Sequence, residues 1–316
     1  MQKSNKIVPK NIFVLGTAKR SGTNFLKNML CLHEDCFSPG PIWEDFLLEH
    51  IGEIDKYVNY TTNRWNVSWN VEEVLDPKNV MKEKFGDALL SFLRSQFESD
   101  MSVQRNIPLN SHFITKTPST ENIENFFNYF PNSYLLVITR DGRSVAESAG
   151  KSFNKPFDIA IREWDLYAEK VVDLLECKNV KNRKLLIIKY EDLHRNTKDV
   201  MRKIIDFLDL DEERYDYEKI KTAPVIGSSD LGVKGDLHWK PMEKKVGFNP
   251  EVRWGSWSEI KHQRYNWVAG KNHKKLGYKL KDTNRNFVLN VVMDIFWRPA
   301  FKIWCFAKIK LYMRMK

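Results

Sequence analysis

An α/β fold built on a doubly wound, mainly parallel sheet is predicted by three features of the chain. Short runs rich in Leu, Ile and Val recur along it, each followed by apolar residues at helical spacing, as strands joined by helical crossovers require. The first run closes on a glycine that leads directly into a helical pattern. Finally, 316 residues, 42% of them hydrophobic, supply a core that needs neither disulfides nor a structural metal.

The first unit is NIFVLG at residues 11–16, a buried strand, followed over residues 22–32 by Phe25, Leu26, Met29 and Leu30 at helical spacing. HFIT at 112–115 is a shorter strand, with a helical pattern over residues 119–130. The runs at 134–139 and 184–189 are further strands, each leading to a helix, over residues 144–153 and 197–208. Residues 79–98 and 157–177 are amphipathic and long enough for surface-packing helices. Residues 221–257 mix Pro, Gly, Trp and Lys without a period, which predicts a long functional loop. Residues 1–286 are expected to form one domain and residues 287–316 a separate basic, amphipathic helical tail.

Charge narrows the function classes. The net charge of +10 is concentrated in residues 271–316, which hold 12 Lys/Arg against 2 Asp/Glu; residues 1–270 hold 39 of each sign. A groove for a duplex would spread the excess over the body, so nucleic acid is not an expected partner. The start of the chain carries no apolar secretory region, and no run of about 18 apolar residues occurs. A cytoplasmic protein, peripheral on a membrane at most, is expected, and the sequons at Asn59 and Asn66 then carry no meaning. Cys31, Cys36, Cys177 and Cys305 form no CxxC pair, so reduced, buried thiols and no metal are expected.

Two motifs carry chemistry. GTAKRSGTNFL, residues 16–26, runs from the first strand into the first helix, aiming unpaired amides and the positive helix end at an anion. It is not a Walker A loop, because five residues separate Gly16 from Gly22 and Thr23 stands where that motif has lysine. RDGRSVAES, residues 140–148, follows another apolar strand, so Arg140 leaves the sheet at the edge where open α/β sheets bind ligands. Ser148 lies one or two turns into the next helix, facing the same region. Two anion sites on crossovers of one sheet suit a nucleotide with two separated phosphates.

With these residues in place, the chain resembles the sulfotransferases that use 3′-phosphoadenosine 5′-phosphosulfate. Arg20, Ser21, Gly22, Thr23, Asn24 and Leu26 match that family's K/R-S-G-T-x-x-L element for the 5′-phosphosulfate, and Arg140 with Ser148 match its arginine-to-serine spacing for the 3′-phosphate. TKTPS at 115–119, FPNSYLLVITRDGRSVAES at 130–148, KYEDL at 189–193, FLDL at 207–210, RWGSWSEI at 253–260 and LGY at 276–278 are similar to further family segments. The resemblance implies that Lys19 to Phe25, Arg140, Ser148, Lys245 and Arg253 bind the nucleotide, Phe25 standing where soluble relatives stack a tryptophan on adenine. It implies Arg20 at the 5′-phosphate, Lys116 at the sulfuryl group, and no metal.

One departure matters: Pro118 occupies the place of a histidine that serves many soluble members as base. The resemblance to carbohydrate sulfotransferases then points to Glu44 as the general base, with Asp45, Glu34 and His50 as competitors. Lys116 could equally form a buried structural ion pair, and Glu44 could equally be a first-turn acid opening a helix over WEDFLLEH. The implied acceptor is a hydroxyl, with a carbohydrate or glycolipid favoured because Trp43, Trp65, Trp69, Trp239, Trp254 and Trp257 fall in segments expected around it, although core packing would also use tryptophan. A sterol or phenol is the alternative.

Beyond the matched region, residues 287–316 are apolar except for a stripe at Asn290, Asp294, Arg298 and Lys302. That pattern fits a membrane-surface helix or a helix packed on the body or on a second subunit. Two other function classes stay open: a different nucleotide-dependent P-loop-like transferase such as a kinase, and a non-catalytic, membrane-associated binding module.

Overall fold

The computed structural model describes residues 8–38, 42, 44–65, 69, 76–100, 111–177, 183–222, 250–284, 286–297 and 299. Five strands, β1 (Asn11–Gly16), β2 (Cys36–Phe37), β3 (His112–Thr117), β4 (Tyr134–Thr139) and β5 (Leu185–Lys189), form one sheet in the order β2-β3-β1-β4-β5. Every pairing is parallel.

Residue type explains this arrangement. A parallel strand covered on both faces can be apolar throughout. In β1, Phe13 and Leu15 join one core cluster while Ile12 and Val14 join the other; Leu135 and Val137 divide from Leu136 and Ile138 in β4 in the same way. Helices α1 (Thr23–Leu30), α7 (Tyr190–Arg195) and α8 (Thr197–Phe207) cover the second cluster through residues such as Leu26, Leu193 and Ile204. The first is covered by α3 (Pro77–Asp100), α4 (Phe126–Tyr129), α5 (Gly142–Phe153), α6 (Phe157–Glu176) and α10 (Glu259–Lys275). α2 (Ile51–Thr62) also packs on the first cluster through Ile51, and the short α9 (Lys219–Thr222) sets Ile220 against the second.

The chain leaves β1 toward β2 and β3 on one side, then crosses to β4 and β5 on the other. The crevice beyond the carboxyl ends of β1 and β4 is therefore the switch point at which doubly wound sheets bind ligands.

Three expectations change. The helical pattern over residues 119–130 contracts to a 3-10 turn at Ile123–Asn125 and the four residues of α4. Asn122 sits at φ 58, outside helical space, and its side-chain Nδ2 donates to the carbonyl of Glu49 at 2.9 Å. No helix begins at Glu44, because Phe46 takes φ 53 and Asp45 turns its carboxylate onto the Leu47 amide; regular helix starts only at Ile51. Of the thiols, Cys36 is buried but Cys31 and Cys177 are exposed, and Cys305 lies outside the described residues. No helix among the described residues is long and apolar enough to cross a membrane.

Candidate active site

The loop after β1 is held in shape by its own groups. Thr17 donates its amide to the carbonyl of Ile138 on β4 at 3.1 Å, which ties the loop to the neighbouring strand. The Ser21 hydroxyl accepts from the Ala18 amide at 3.0 Å, and the Ser21 amide donates back to the Ala18 carbonyl at 3.1 Å. Ser21 is thus turned into the loop as its brace. Arg20 at φ 81 and Gly22 at φ 104 both adopt left-handed backbone, the geometry that turns successive amides toward one point. Glycine is required at 22 for a second reason: a Cβ there would come within 2.4 Å of the Tyr190 ring. Following Gly22, the first-turn amides of α1 have no intrahelical acceptor and face outward with the helix dipole behind them.

The arginines converge beside this loop. Arg140 leaves β4, only 4% exposed, and donates from Nη1 to the carbonyl of Arg20 at 2.8 Å and from Nη2 to the carbonyl of Pro250. Its guanidinium lies 4.4 Å over the Tyr190 ring, and its Nε is buried with no hydrogen-bond partner among the described residues. Ser148, fully buried on α5, accepts from Arg20 Nε at 3.0 Å and from Arg253 Nη1 at 2.8 Å. Three guanidinium groups from the ends of β1 and β4 and from the segment before α10 therefore surround one hydroxyl and two carbonyls. A buried guanidinium with an unused donor is complementary to an oxyanion.

The segment from Pro250 onward is fastened over α5. Glu251 pairs with His194 and Arg195, Trp254 lies 3.8 Å under the Arg143 guanidinium, and Trp257 donates to Glu147 at 2.8 Å. Trp254 and Trp257, expected near the acceptor, are thus engaged in packing. Trp65 is half-buried and Trp69 exposed, whereas Trp43, Trp239 and Lys245 lie outside the described residues.

On the other side of β1, Lys116 of β3 is in register with Val14. Its ammonium is 1% exposed and donates to Glu44 Oε1 at 3.0 Å. Burial lowers the Lys116 pKa, while the charge and hydrogen bond of Glu44 oppose that shift. The other base candidates are occupied or turned away. Asp45 accepts from the Thr115 hydroxyl and from the Leu47 amide, Glu34 pairs with Arg214 at 3.4 Å, and His50 is exposed. The contacts thus divide the expected residues into two groups: Arg20 stands with Ser148, Arg140 and Arg253, and Lys116 with Glu44. Lys19 is exposed; Thr23 is buried, and Asn24 and Phe25 are half-buried at the start of α1, with the Phe25 ring 6.1 Å from that of Tyr190.

Two residues at the centre of the site received no role from the sequence. Tyr190 wedges between Gly22 and Arg140. Glu191, pushed above the usual carboxylate range by burial, accepts from the Asp141 amide at 2.9 Å and from the Tyr278 hydroxyl at 3.1 Å, tying β5 to β4 and to the segment after α10. The signal that would have found them is the one that found Arg140, a polar residue directly after an apolar parallel strand.

Residues 9–214 match the sequence profile described as the Sulfotransferase family. The chain belongs to the sulfotransferase family. A protein-tyrosine sulfotransferase A from Caenorhabditis elegans is 26% identical over 252 residues, covering 75% of this chain and 61% of the relative, so this chain spans less than two thirds of that protein. Among solved structures, the sulfotransferase domain of the Synechococcus PCC 7002 olefin synthase superposes with a TM-score of 0.51 at 19% identity, covering 89% of this chain and 99% of that one. That likeness shows the fold, a parallel sheet with helices on both faces.

Proposed function

We propose that this family member transfers a sulfuryl group from 3′-phosphoadenosine 5′-phosphosulfate to a hydroxyl acceptor on a carbohydrate or glycolipid. The observation that carries the reading is the meeting of Arg20 and Arg253 on Ser148, with Arg140 bound to the Arg20 carbonyl beside them, at the switch point of the sheet. Arg140, Arg253 and Ser148 take the 3′-phosphate. The amides of Gly22 to Phe25 at the start of α1, with Arg20, take the 5′-phosphate, and Lys116 faces the sulfuryl group.

Catalysis then rests on positioning and on cationic donors for the charge that builds on the leaving phosphate. Glu44 accepts the proton of the acceptor hydroxyl as its oxygen bonds to sulfur. The sulfur–oxygen bond to the nucleotide breaks, leaving adenosine 3′,5′-bisphosphate. The Lys116–Glu44 contact supports this pairing of roles, since it sets a carboxylate beside the cation that would meet the sulfuryl oxygens. A tyrosyl phenol is the second reading for the acceptor, favoured by the protein-tyrosine sulfotransferase among the relatives.

The class is tested by thermal shift with chelator present. Adenosine 3′,5′-bisphosphate should stabilise the protein far more than adenosine 5′-monophosphate, by about 2.7 kcal/mol at a hundredfold excess over its dissociation constant. Equal shifts for the two nucleotides, or a shift only with ATP and magnesium, would overturn it. Glu44→Gln should keep nucleotide binding and lose about 10²–10⁴-fold in turnover, whereas substantial residual turnover would remove Glu44 as the base.

A further inference from the structure

The helix over residues 287–297 is mounted with its polar stripe inward. Asn290 is 4% exposed, and its carbonyl accepts from Arg264 Nη1 at 3.3 Å. Asp294 accepts from Arg264 at 2.7 Å, from Arg162, and from the indole nitrogen of Trp267 at 2.8 Å. Arg162 also lies 5.0 Å from the Trp297 ring. Desolvation disfavours the charged form of Asp294, but the hydrogen bonds from Trp267 and Arg264 outweigh it and hold the carboxyl below its usual range.

The opposite face is apolar and open. Phe287, Val288, Ile295 and Phe296 are 64–70% exposed, and Val292 lies among them. A helix packed on a protein body ordinarily buries its apolar stripe. Here the helix cannot roll to do so without breaking the contacts of Asp294 with two arginines and an indole. The patch continues onto α10, where the Trp267 ring meets Phe287 at 5.4 Å and Ile260 lines a shared groove with Phe287 and Val288.

The neighbouring charge identifies what covers this face. A groove of about 1060 Å³ opens beside Trp267 and Phe287 and is lined by Lys271, Lys274, Lys279 and Lys281 against one carboxylate, Asp282. The chain's entire surplus of 10 positive charges also lies from residue 271 onward. The geometry points to the surface of an anionic lipid bilayer as the occupant. Phe287, Val288, Ile295 and Phe296 enter the interface, and the lysine groove receives the phosphate of a headgroup. Buried apolar area and attraction to anionic lipid together set such binding. A second copy of this chain would answer the apolar face but would bring the same lysines against these.

This inference is independent of the sulfuryl chemistry and is tested without donor or acceptor. The full chain should cosediment with vesicles of phosphatidylcholine and phosphatidylglycerol, weakly with phosphatidylcholine alone, and less at high salt. F287S/V288S/I295S/F296S alters only exposed side chains, so it should melt as the parent does while losing at least about tenfold in vesicle binding. K271E/K274E/K279E should lose a similar factor on the anionic vesicles only. Failure of the full chain to sediment, or binding unchanged in either variant, would overturn the proposal. So would a doubling of mass in light scattering that the serine variant abolishes, with no vesicle binding, since the occupant would then be a second copy.

Discussion

Arg140 and Arg264 are both almost fully buried arginines, yet their surroundings differ in kind. Arg264, 1% exposed, meets the carboxylates of Asp158 at 2.5 Å and Asp294 at 2.7 Å, so its charge is matched within the protein. Arg140 donates only to backbone carbonyls and keeps Nε unused. A matched guanidinium fastens structure, whereas a buried one lacking a carboxylate partner is costly unless something else supplies the anion. That contrast separates the α10 clamp from the candidate site at the carboxyl ends of β1 and β4 without reference to any relative.

The comparison breaks most visibly at Arg264. Arg264→Ala would leave Asp158 and Asp294 sharing Arg162 alone, so urea unfolding should show a loss of about 3–5 kcal/mol. An unchanged midpoint would mean that the clamp is not structural.

Acid is the second probe, because carboxylates and imidazoles titrate and guanidinium does not. Burial lowers the pKa of His112 to about 4, with Lys10 contributing, and burial likewise lowers that of His273 to about 4. His273 Nδ1 lies 2.8 Å from the buried Tyr265 hydroxyl. The unfolded chain takes up these protons near pH 6.5 while the folded chain refuses them until near 4. Stability should therefore fall as pH drops across that window, by on the order of 3 kcal/mol for each imidazole. The Asp294 carboxyl, depressed in the folded state, adds a further loss below its ordinary value of 3.8. A melting temperature flat from pH 6.5 to 4 would remove the buried imidazoles from this account.

Arg140→Ala should behave oppositely to the α10 clamp. It should retain the fold and weaken adenosine 3′,5′-bisphosphate by about 10–100-fold in calorimetry, the worth of a charged hydrogen bond. Unfolding without a change in affinity would place Arg140 with Arg264 as a structural residue. Ser148→Ala is the mildest change, expected to cost about 2–10-fold, because the hydroxyl contributes one neutral group among the arginines.

Much of this was legible in the residues. The order of apolar runs predicted four of the five strands, and the glycine-closed β1 with the arginine after β4 located the two loops that meet at the switch point. What failed locally failed for local reasons that composition conceals. Residues 119–130 keep helical spacing, but Asn122 is drawn into left-handed backbone by a carbonyl 73 positions earlier in the chain. WEDFLLEH reads as helix until Asp45 is taken by Thr115.

The sequence by itself determined the sheet, its parallel direction, the loops that follow β1 and β4 and the basic end of the chain, because hydrophobic period and residue type act over a few neighbouring positions. Only the tertiary structure decided which charges are matched. It set Glu44 against Lys116 from 72 residues away and Arg253 against Ser148 from 105, and it turned the polar stripe of residues 287–297 inward onto Arg264. Pairing of buried charges depends on distances through space between segments far apart in the chain, and no local pattern carries that information.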